Sequence, residues 1–335
     1  MSTFLKSVDK IYSLGKSSPL LFNNLKKFTL NPGKRIRPIL FVAGYLGFTK
    51  KAAAGLYRSA VSIELLHDFF LVHDDIIDKS DIRRGKPSMH KSFDNHLKKF
   101  RNVKFKGQDL AIVAGDIIYI LSLECFLAID ESPGRKEKAL KKFLQAGLYT
   151  AKGEFMELVL SLKKIQNITK DEIYQVYDQK TAYYSFAAPL AIGAILAGAD
   201  KNQVNRVFKY GMFLGRAFQI KDDILGIFGT EATTGKSCLS DLQESKKTLL
   251  LWYAFNMGSK KQKNIIVKIL AKRKVDKKDL SRIGMVIKES GSLRCAENEI
   301  KKLLMKSESI LTGSLMNQNY KKLLTDYVQA KLTCK

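Results

Sequence analysis

Five aspartates stand where apolar helical patterns resist charge. Asp74, Asp75 and Asp78 close the apolar stretch Phe69 to Asp78, and Asp222-Asp223 interrupt the mostly apolar run Phe213 to Phe228. Carboxylates seldom enter such helices without a partner. Asp74 and Asp78 are four residues apart, so on a helix they share one face a single turn apart. Like charges held there raise each other's pKa unless a cation neutralises them. A hard divalent ion with oxygen ligands would do so, and its chemistry is Lewis-acid handling of phosphate oxygens.

The basic residues fit that chemistry. Gly33-Lys34-Arg35-Ile36-Arg37-Pro38 forms a cationic group at a loop–helix junction, and Asp81-Ile82-Arg83-Arg84-Gly85-Lys86-Pro87 reads as a helix end whose guanidinium groups stay available for phosphate. Lys236, Lys246 and Lys247 follow the second acidic pair. Acidic and basic clusters together describe a diphosphate site: the aspartates hold Mg²⁺, the metal bridges phosphate oxygens, and Lys and Arg neutralise the remainder. Helices that are otherwise apolar suggest that the rest of the ligand is hydrocarbon.

The elements that must position these groups are helical. Apolar residues recur at intervals of three and four in Ala52 to Leu71, Ala139 to Leu162, Ile173 to Ala197, Val204 to Ile227 and Ile300 to Leu311. Alternating, turn-bounded strand patterns are missing. Thr169 with Glu172 three residues on suits a capping box. No linker divides the chain, so residues 1–335 are read as a single all-α domain, a large helical bundle around a central cavity.

Composition narrows the function classes. The chain has 335 residues, is 45% apolar and holds only 6 prolines, which argues against disorder. A formal charge of +26 invites a nucleic-acid reading, but only 12 of the 58 basic residues are Arg, and no nucleic-acid motif or aromatic-interleaved basic stripe is present. Attraction to anionic substrates or lipid headgroups fits better, with peripheral membrane contact as one form of it. Cys125, Cys238, Cys295 and Cys334 are far apart and read as reduced thiols of a cytoplasmic protein. Leu110 to Ile129 is the most membrane-like run, but Asp116 and Glu124 within it favour a buried helix over a transmembrane one. Met1 to Leu14 lacks the continuous apolar region of a signal peptide.

Taken in order, the runs GKRIRP, ELLHDFFLVHDDIID, DIRRGKP, AGD at 114–116, GEF at 153–155, KTA at 180–182, GRAFQIKDDILG, TGK at 234–236 and DLQESKKT resemble the trans-isoprenyl diphosphate synthases, the polyprenyl synthetases. The likeness runs from about Pro32 to about Ala254. It implies the isoprenoid-synthase helical fold and a Mg²⁺-dependent prenyltransferase, with about three ions when substrate is bound. By that resemblance Asp74, Asp78 and Asp222 are metal ligands, with Asp75 and Asp223 in support. Arg83, Lys180, Lys236 and Lys246 stabilise departing pyrophosphate, and Thr181 and Gln219 present oxygen dipoles to the allylic cation. Isopentenyl diphosphate sits on Lys34, Arg37, His67 and Arg84. Phe69 and Phe70, five and four residues before Asp74, gauge chain length, and the expected product is geranylgeranyl diphosphate or farnesyl diphosphate. A homodimer is also implied. Two positions depart from the family pattern: Gly226 replaces a third aspartate, and Ser245 replaces the glycine before Lys246. A terpene cyclase, which would not need the isopentenyl-diphosphate residues, and a non-catalytic regulatory subunit are the competing readings.

Overall fold

The computed structural model describes residues 1–230 and 239–332. The described chain is helical apart from one small hairpin, and it divides into two compact units, Met1–Val42 with Ala52–Lys136 and Ala43–Lys51 with Glu137–Lys335.

In chain order the first helices are α1 (Ser2–Tyr12), α2 (Leu14–Ser17), α3 (Pro19–Thr29), α4 (Ile36–Leu46), α5 (Leu56–Ile77), α6 (Met89–Leu97) and α7 (Gly107–Phe126). In the first unit α5 packs along α7, with α3 and α6 alongside. Leu65 and Val72 of α5 meet Ala111, Ala114, Ile118 and Cys125 of α7 and Met89 and Phe93 of α6 in one core. Each large side chain buried there contributes about 1.5–3 kcal/mol. This apolar packing fixes α5, and its C-terminal turn carries the first acidic cluster.

α5 closes directly after that cluster. Lys79 takes φ 51, its N–H reaches the Ile76 carbonyl at 3.3 Å, and the Ser80 N–H reaches the Asp75 carbonyl at 2.9 Å. This is the paired-bond C-terminal stop of a Schellman motif, with a lysine where glycine is usual. The helix end expected at Arg83-Arg84 is therefore not there. Ile82–Arg83 and Lys86–Pro87 pair as antiparallel strands, β1 and β2, in the register Ile82↔Pro87 and Arg83↔Lys86. Arg84 at φ 53 and Gly85 at φ 72 form the two-residue turn, and left-handed backbone at both places matches the twist of the strands. Arg83 and Arg84 consequently sit on a rigid hairpin.

The second unit contains α8 (Pro133–Leu162, of which residues 137–162 belong here), α9 (Lys170–Val176), a π-helical segment (Tyr177–Ala187), α10 (Ala188–Leu196), α11 (Lys201–Phe228), α12 (Ser240–Gln243), α13 (Leu249–Met257), α14 (Lys260–Leu270), α15 (Lys277–Glu289), α16 (Ser292–Thr312) and α17 (Gln318–Lys331). Ile173, Ile220, Leu249, Ile266, Ile283 and Ile300 anchor its core. The capping box at α9 forms as expected: Thr169 Oγ1 accepts from the Glu172 N–H at 3.2 Å, and Glu172 Oε2 accepts from the Thr169 N–H at 2.8 Å.

The periodic run 173–197 is not one α-helix. Its middle, Tyr177–Ala187, winds as a π-helix. Wider winding turns successive side chains through smaller angles and re-aims them, which is why such segments gather at functional sites. A tertiary contact accompanies it: α8 comes so close at Gly153 that a Cβ there would stand 2.4 Å from the Lys180 backbone nitrogen. Periodicity of apolar residues carries no trace of this approach.

Ser245 sits at φ 54, the left-handed region that a glycine adopts without strain, and its Oγ donates to the Leu270 carbonyl at 2.8 Å. The hydrogen bond offsets the strain. Ser245→Ala keeps the strain and loses the bond, so it should lower unfolding free energy by about 1 kcal/mol. Ser245→Gly loses both and should stay near neutral in a urea titration. Equal midpoints for the two variants would contradict this account.

Candidate functional site

The first unit brings together two groups of expected site residues. At the end of α5, carboxylate oxygens of Asp74 and Asp78 lie within 4.8 Å of each other, and both residues are half-buried. The pair offers oxygen donors alone, at a spacing one divalent ion can bridge, so the residues fit Mg²⁺. Asp75 points the other way and is fully buried. Arg83 grips it, donating from Nε at 2.8 Å and from Nη2. Burial nevertheless pushes the Asp75 carboxyl up to about 6, against the pull of Arg83. Arg83 also approaches Asp74 Oδ2 at 3.6 Å. Its guanidinium is thus already engaged with the acidic cluster, and its closest role is to steady Asp75 and, through it, the turn that carries Asp74 and Asp78.

The second group surrounds His67. Burial, followed by the nearby guanidinium groups of Arg37, Arg84, Arg83 and Arg35, drives the His67 imidazole well below its ordinary pKa. It is a neutral hydrogen-bonding ring set among cations, which is what a pocket for a multiply charged anion requires. Arg35, within the same basic run as Lys34 and Arg37, braces the pocket. From a backbone at φ 48 it donates to Glu64 Oε1 at 2.8 Å and to the Thr29 and Asn31 carbonyls at 2.7 and 2.6 Å. Arg84 Nη1 reaches the Asn31 carbonyl at 3.5 Å, and burial lowers the Arg84 pKa. Asp68, fully buried beside these arginines, is raised well above the carboxylate range by burial and by Glu64.

Phe69 is packed, not loose. Its ring contacts Phe70 at 4.9 Å, His73 at 4.7 Å and Tyr119 of α7 at 5.2 Å between centroids. His73 lies 3.5 Å from Asp116.

In the second unit a hydrogen-bonded chain crosses from the π-helix to α11. The Thr181 hydroxyl donates to Gln219 Oε1 at 2.6 Å, and Gln219 Nε2 donates to Asp223 Oδ1 at 2.9 Å. The Tyr177 hydroxyl donates to Asp223 Oδ2 and accepts the Leu249 N–H at 2.8 Å. Thr181 and Gln219 therefore meet each other, and the Gln219 carbonyl oxygen already accepts from Thr181. Asp223, 5% exposed, is raised well above the usual carboxylate range by burial; Tyr177 and Gln219 oppose the shift, and Asp241 and Asp222 add to it. Asp222, its neighbour, is the exposed member of the pair.

Lys180 is bridged by Glu154 Oε2 at 2.6 Å and Glu157 Oε2 at 2.5 Å. Lys246 lies 3.1 Å from Glu244, 3.7 Å from Glu157 and 3.7 Å from Asp241. Both cations are present in a shared acidic setting that an arriving phosphate would have to displace or share. Lys247 is different: its Nζ donates to the Ser161 and Ser245 carbonyls at 3.0 and 2.6 Å, and burial lowers it to about 8, so it ties backbone together. Arg216 holds Asp178 with two bonds of 2.5 and 2.6 Å, a pair that only the tertiary structure reveals. Lys236 lies outside the described residues.

Residues 18–286 match the family described as Polyprenyl synthetase. The chain is 34% identical over 277 residues to a geranylgeranyl diphosphate synthase of Saccharolobus solfataricus, covering 81% of this chain and 76% of that one. It is 31% identical over 285 residues to a geranylfarnesyl diphosphate synthase of Aeropyrum pernix, covering 84% and 83%. Among solved structures, a geranylgeranyl pyrophosphate synthase of Corynebacterium glutamicum, complexed with isoprenyl diphosphate and magnesium, superposes with a TM-score of 0.90 at 26% identity, covering 98% of this chain and 95% of that one.

Proposed function

This chain belongs to the polyprenyl synthetase family and is a short-chain prenyltransferase, and on that premise we propose that it condenses isopentenyl diphosphate with allylic diphosphates to make geranylgeranyl diphosphate. The observation that carries the reading is the pairing, on one helix, of the Asp74–Asp78 oxygen donors with the arginine-ringed His67 some two turns earlier. A cyclase has no use for that second anion pocket.

In this reading Asp74 and Asp78, and by the family resemblance Asp222, would hold the metal ions that accompany an allylic diphosphate. Mg²⁺, about three ions by the family resemblance, would supply charge neutralisation to a pyrophosphate leaving group when bound there. Asp75 and Asp223 orient the acidic segments through Arg83, Tyr177 and Gln219. Lys180, Lys246 and Lys236 take up pyrophosphate charge as the C–O bond breaks. The Thr181–Gln219 pair places oxygen lone pairs beside the allylic cation. Lys34, Arg37, His67 and Arg84 fix the diphosphate of isopentenyl diphosphate so that its double bond attacks that cation. The proton released in the last step goes to the departed pyrophosphate, whose oxygens become basic once the C–O bond has broken.

The family match spans both compact units, which supports one isoprenoid-synthase domain over residues 1–335. Exposed apolar residues support a homodimer: Ile112, Val113 and Ile120 on α7, and Leu148, Phe155 and Leu162 at seven-residue spacing on α8, are each at least 40% exposed. No helix among the described residues is long and apolar enough to cross a membrane. The unpaired Cys125 and Cys295 suit a reducing, cytoplasmic setting, and the basic surface suits transient contact with anionic headgroups.

Product length is the test of this reading. With farnesyl diphosphate, isopentenyl diphosphate and Mg²⁺, mass spectrometry should find geranylgeranyl diphosphate as the main product. Phe69→Ala removes the ring that packs on Tyr119, and the product distribution should move to longer chains. An unchanged distribution would remove Phe69 as the length gauge, and farnesyl diphosphate as the end product would revise the assignment.

A further inference from the structure

Asp68 is a carboxylate that the prenyl-transfer scheme leaves without a task. It lies on α5 one residue after His67 and one turn after Glu64, and it is fully buried. Neither of its oxygens finds a hydrogen-bond partner among the described residues, and Glu64 Oε2 lacks one as well. An ionised carboxylate so placed forfeits its hydration without return. The charged groups that act on it are Glu64 of its own helix, Arg84 of the hairpin, and Arg35 and Arg37 where α4 begins; His67 beside it is neutral. Arg35 is committed to Glu64 and to two backbone carbonyls. An ionised Asp68 would therefore draw on Arg84 and Arg37, the groups that face an arriving diphosphate. Burial and the Glu64 charge favour a proton on Asp68, and the three arginines oppose the shift without reversing it.

We propose that Asp68 is a positioning residue of the isopentenyl-diphosphate pocket, carrying a proton whenever the pocket is occupied, so that the diphosphate meets the guanidinium groups of Arg37 and Arg84 with no competing carboxylate behind them. The inference rests on the reading of that pocket as the isopentenyl-diphosphate site. Substrate and proton then favour each other's binding by the same factor. As pH rises and Asp68 ionises, its carboxylate pulls on the arginines and affinity for the diphosphate falls. Asp68 acts through Arg84 and Arg37 and does not touch the carbon that reacts.

Isopentenyl diphosphate alone has no allylic partner to react with, so its binding to the full chain can be measured at equilibrium by titration calorimetry, without Mg²⁺, at pH 7 and pH 9. The terminal phosphate of the ligand has already lost its proton there, at a pKa of about 6. Asp68→Asn keeps the shape and has no proton to lose. At pH 7 it should bind within about threefold of the parent, since both side chains are neutral; at pH 9 the parent should bind about tenfold or more weaker than the variant. The melting temperature of the variant should gain on the parent's as pH rises. A carboxyl whose pKa is raised by folding contributes stability that is complete below its unfolded pKa and lost as pH climbs through the folded one. Equal pH dependence of binding in the two chains would overturn the inference. So would a variant that already binds about tenfold tighter at pH 7, which would show Asp68 ionised, or about tenfold weaker at both pH values. If the variant does not fold, the parent decides alone: binding heats at pH 9 in two buffers of unequal ionisation enthalpy should show proton uptake, and none would overturn the inference. Arg84→Ala separates the two levels. If it binds isopentenyl diphosphate at pH 7 as the parent does, the pocket reading fails; if it weakens binding while Asp68→Asn tracks the parent at both pH values, only the role of Asp68 fails.

Discussion

Asp74→Ala is expected to lower kcat/KM for prenyl transfer by about a thousandfold or more, the order of effect seen when one preorganised electrostatic group is removed from an active site. Asp74 is half-buried and its carboxylate lies within 4.8 Å of that of Asp78, so its loss halves the oxygen set at the end of α5. Stability should hardly change, because α5 is fixed by its apolar contacts with α7. Asp75→Ala should behave in the opposite sense. It strips the partly buried Arg83 of its main partner, and breaking a buried ion pair costs about 3–5 kcal/mol. Kinetics and thermal melting on the two variants give the contrast: activity lost with the fold intact at position 74, stability lost first at position 75. A stable, fully active Asp74→Ala would remove the first cluster from the chemistry.

Arg84→Ala carries the second large effect. The KM for isopentenyl diphosphate should rise about 30-fold or more, the penalty for truncating one partner of a desolvated charge pair. The KM for the allylic diphosphate should stay within about threefold. Arg84 is the suitable probe because Arg35, also in the pocket, is committed to Glu64 and two backbone carbonyls, so its removal would mix folding with binding. Arg84→Lys should recover part of the loss, since a point charge replaces a planar fork. Equal rises in both KM values would place Arg84 outside the isopentenyl-diphosphate pocket.

Local spacing made much of this readable from residues alone. Asp74 and Asp78 are one turn apart whatever the rest of the chain does, and the Thr169–Glu172 capping box closes within four residues. Apolar periodicity likewise placed the long helices, because burial of one face is set by nearest turns. What stayed hidden depends on contacts between distant segments. The π-helix at Tyr177–Ala187 accompanies the close approach of α8 at Gly153. The Arg83–Arg84 segment looked like a helix end because its turn needs left-handed backbone at Arg84, which side-chain type does not disclose. Asp241 over Gly226, Tyr177 on Asp223, and Arg216 on Asp178 join residues far apart in sequence. Ser245 shows the converse: it replaces the glycine of the family pattern and still takes left-handed backbone, at φ 54.

The central claim is that this chain alone joins isopentenyl diphosphate to an allylic diphosphate. The most direct measurement is incorporation of labelled isopentenyl diphosphate into prenyl product by the purified chain, with farnesyl diphosphate and Mg²⁺ present, before and after addition of EDTA. Incorporation that requires Mg²⁺ and stops on chelation is the expected result. Turnover of farnesyl diphosphate to hydrocarbon or alcohol with no label taken up, or no turnover without a partner protein, would contradict the account.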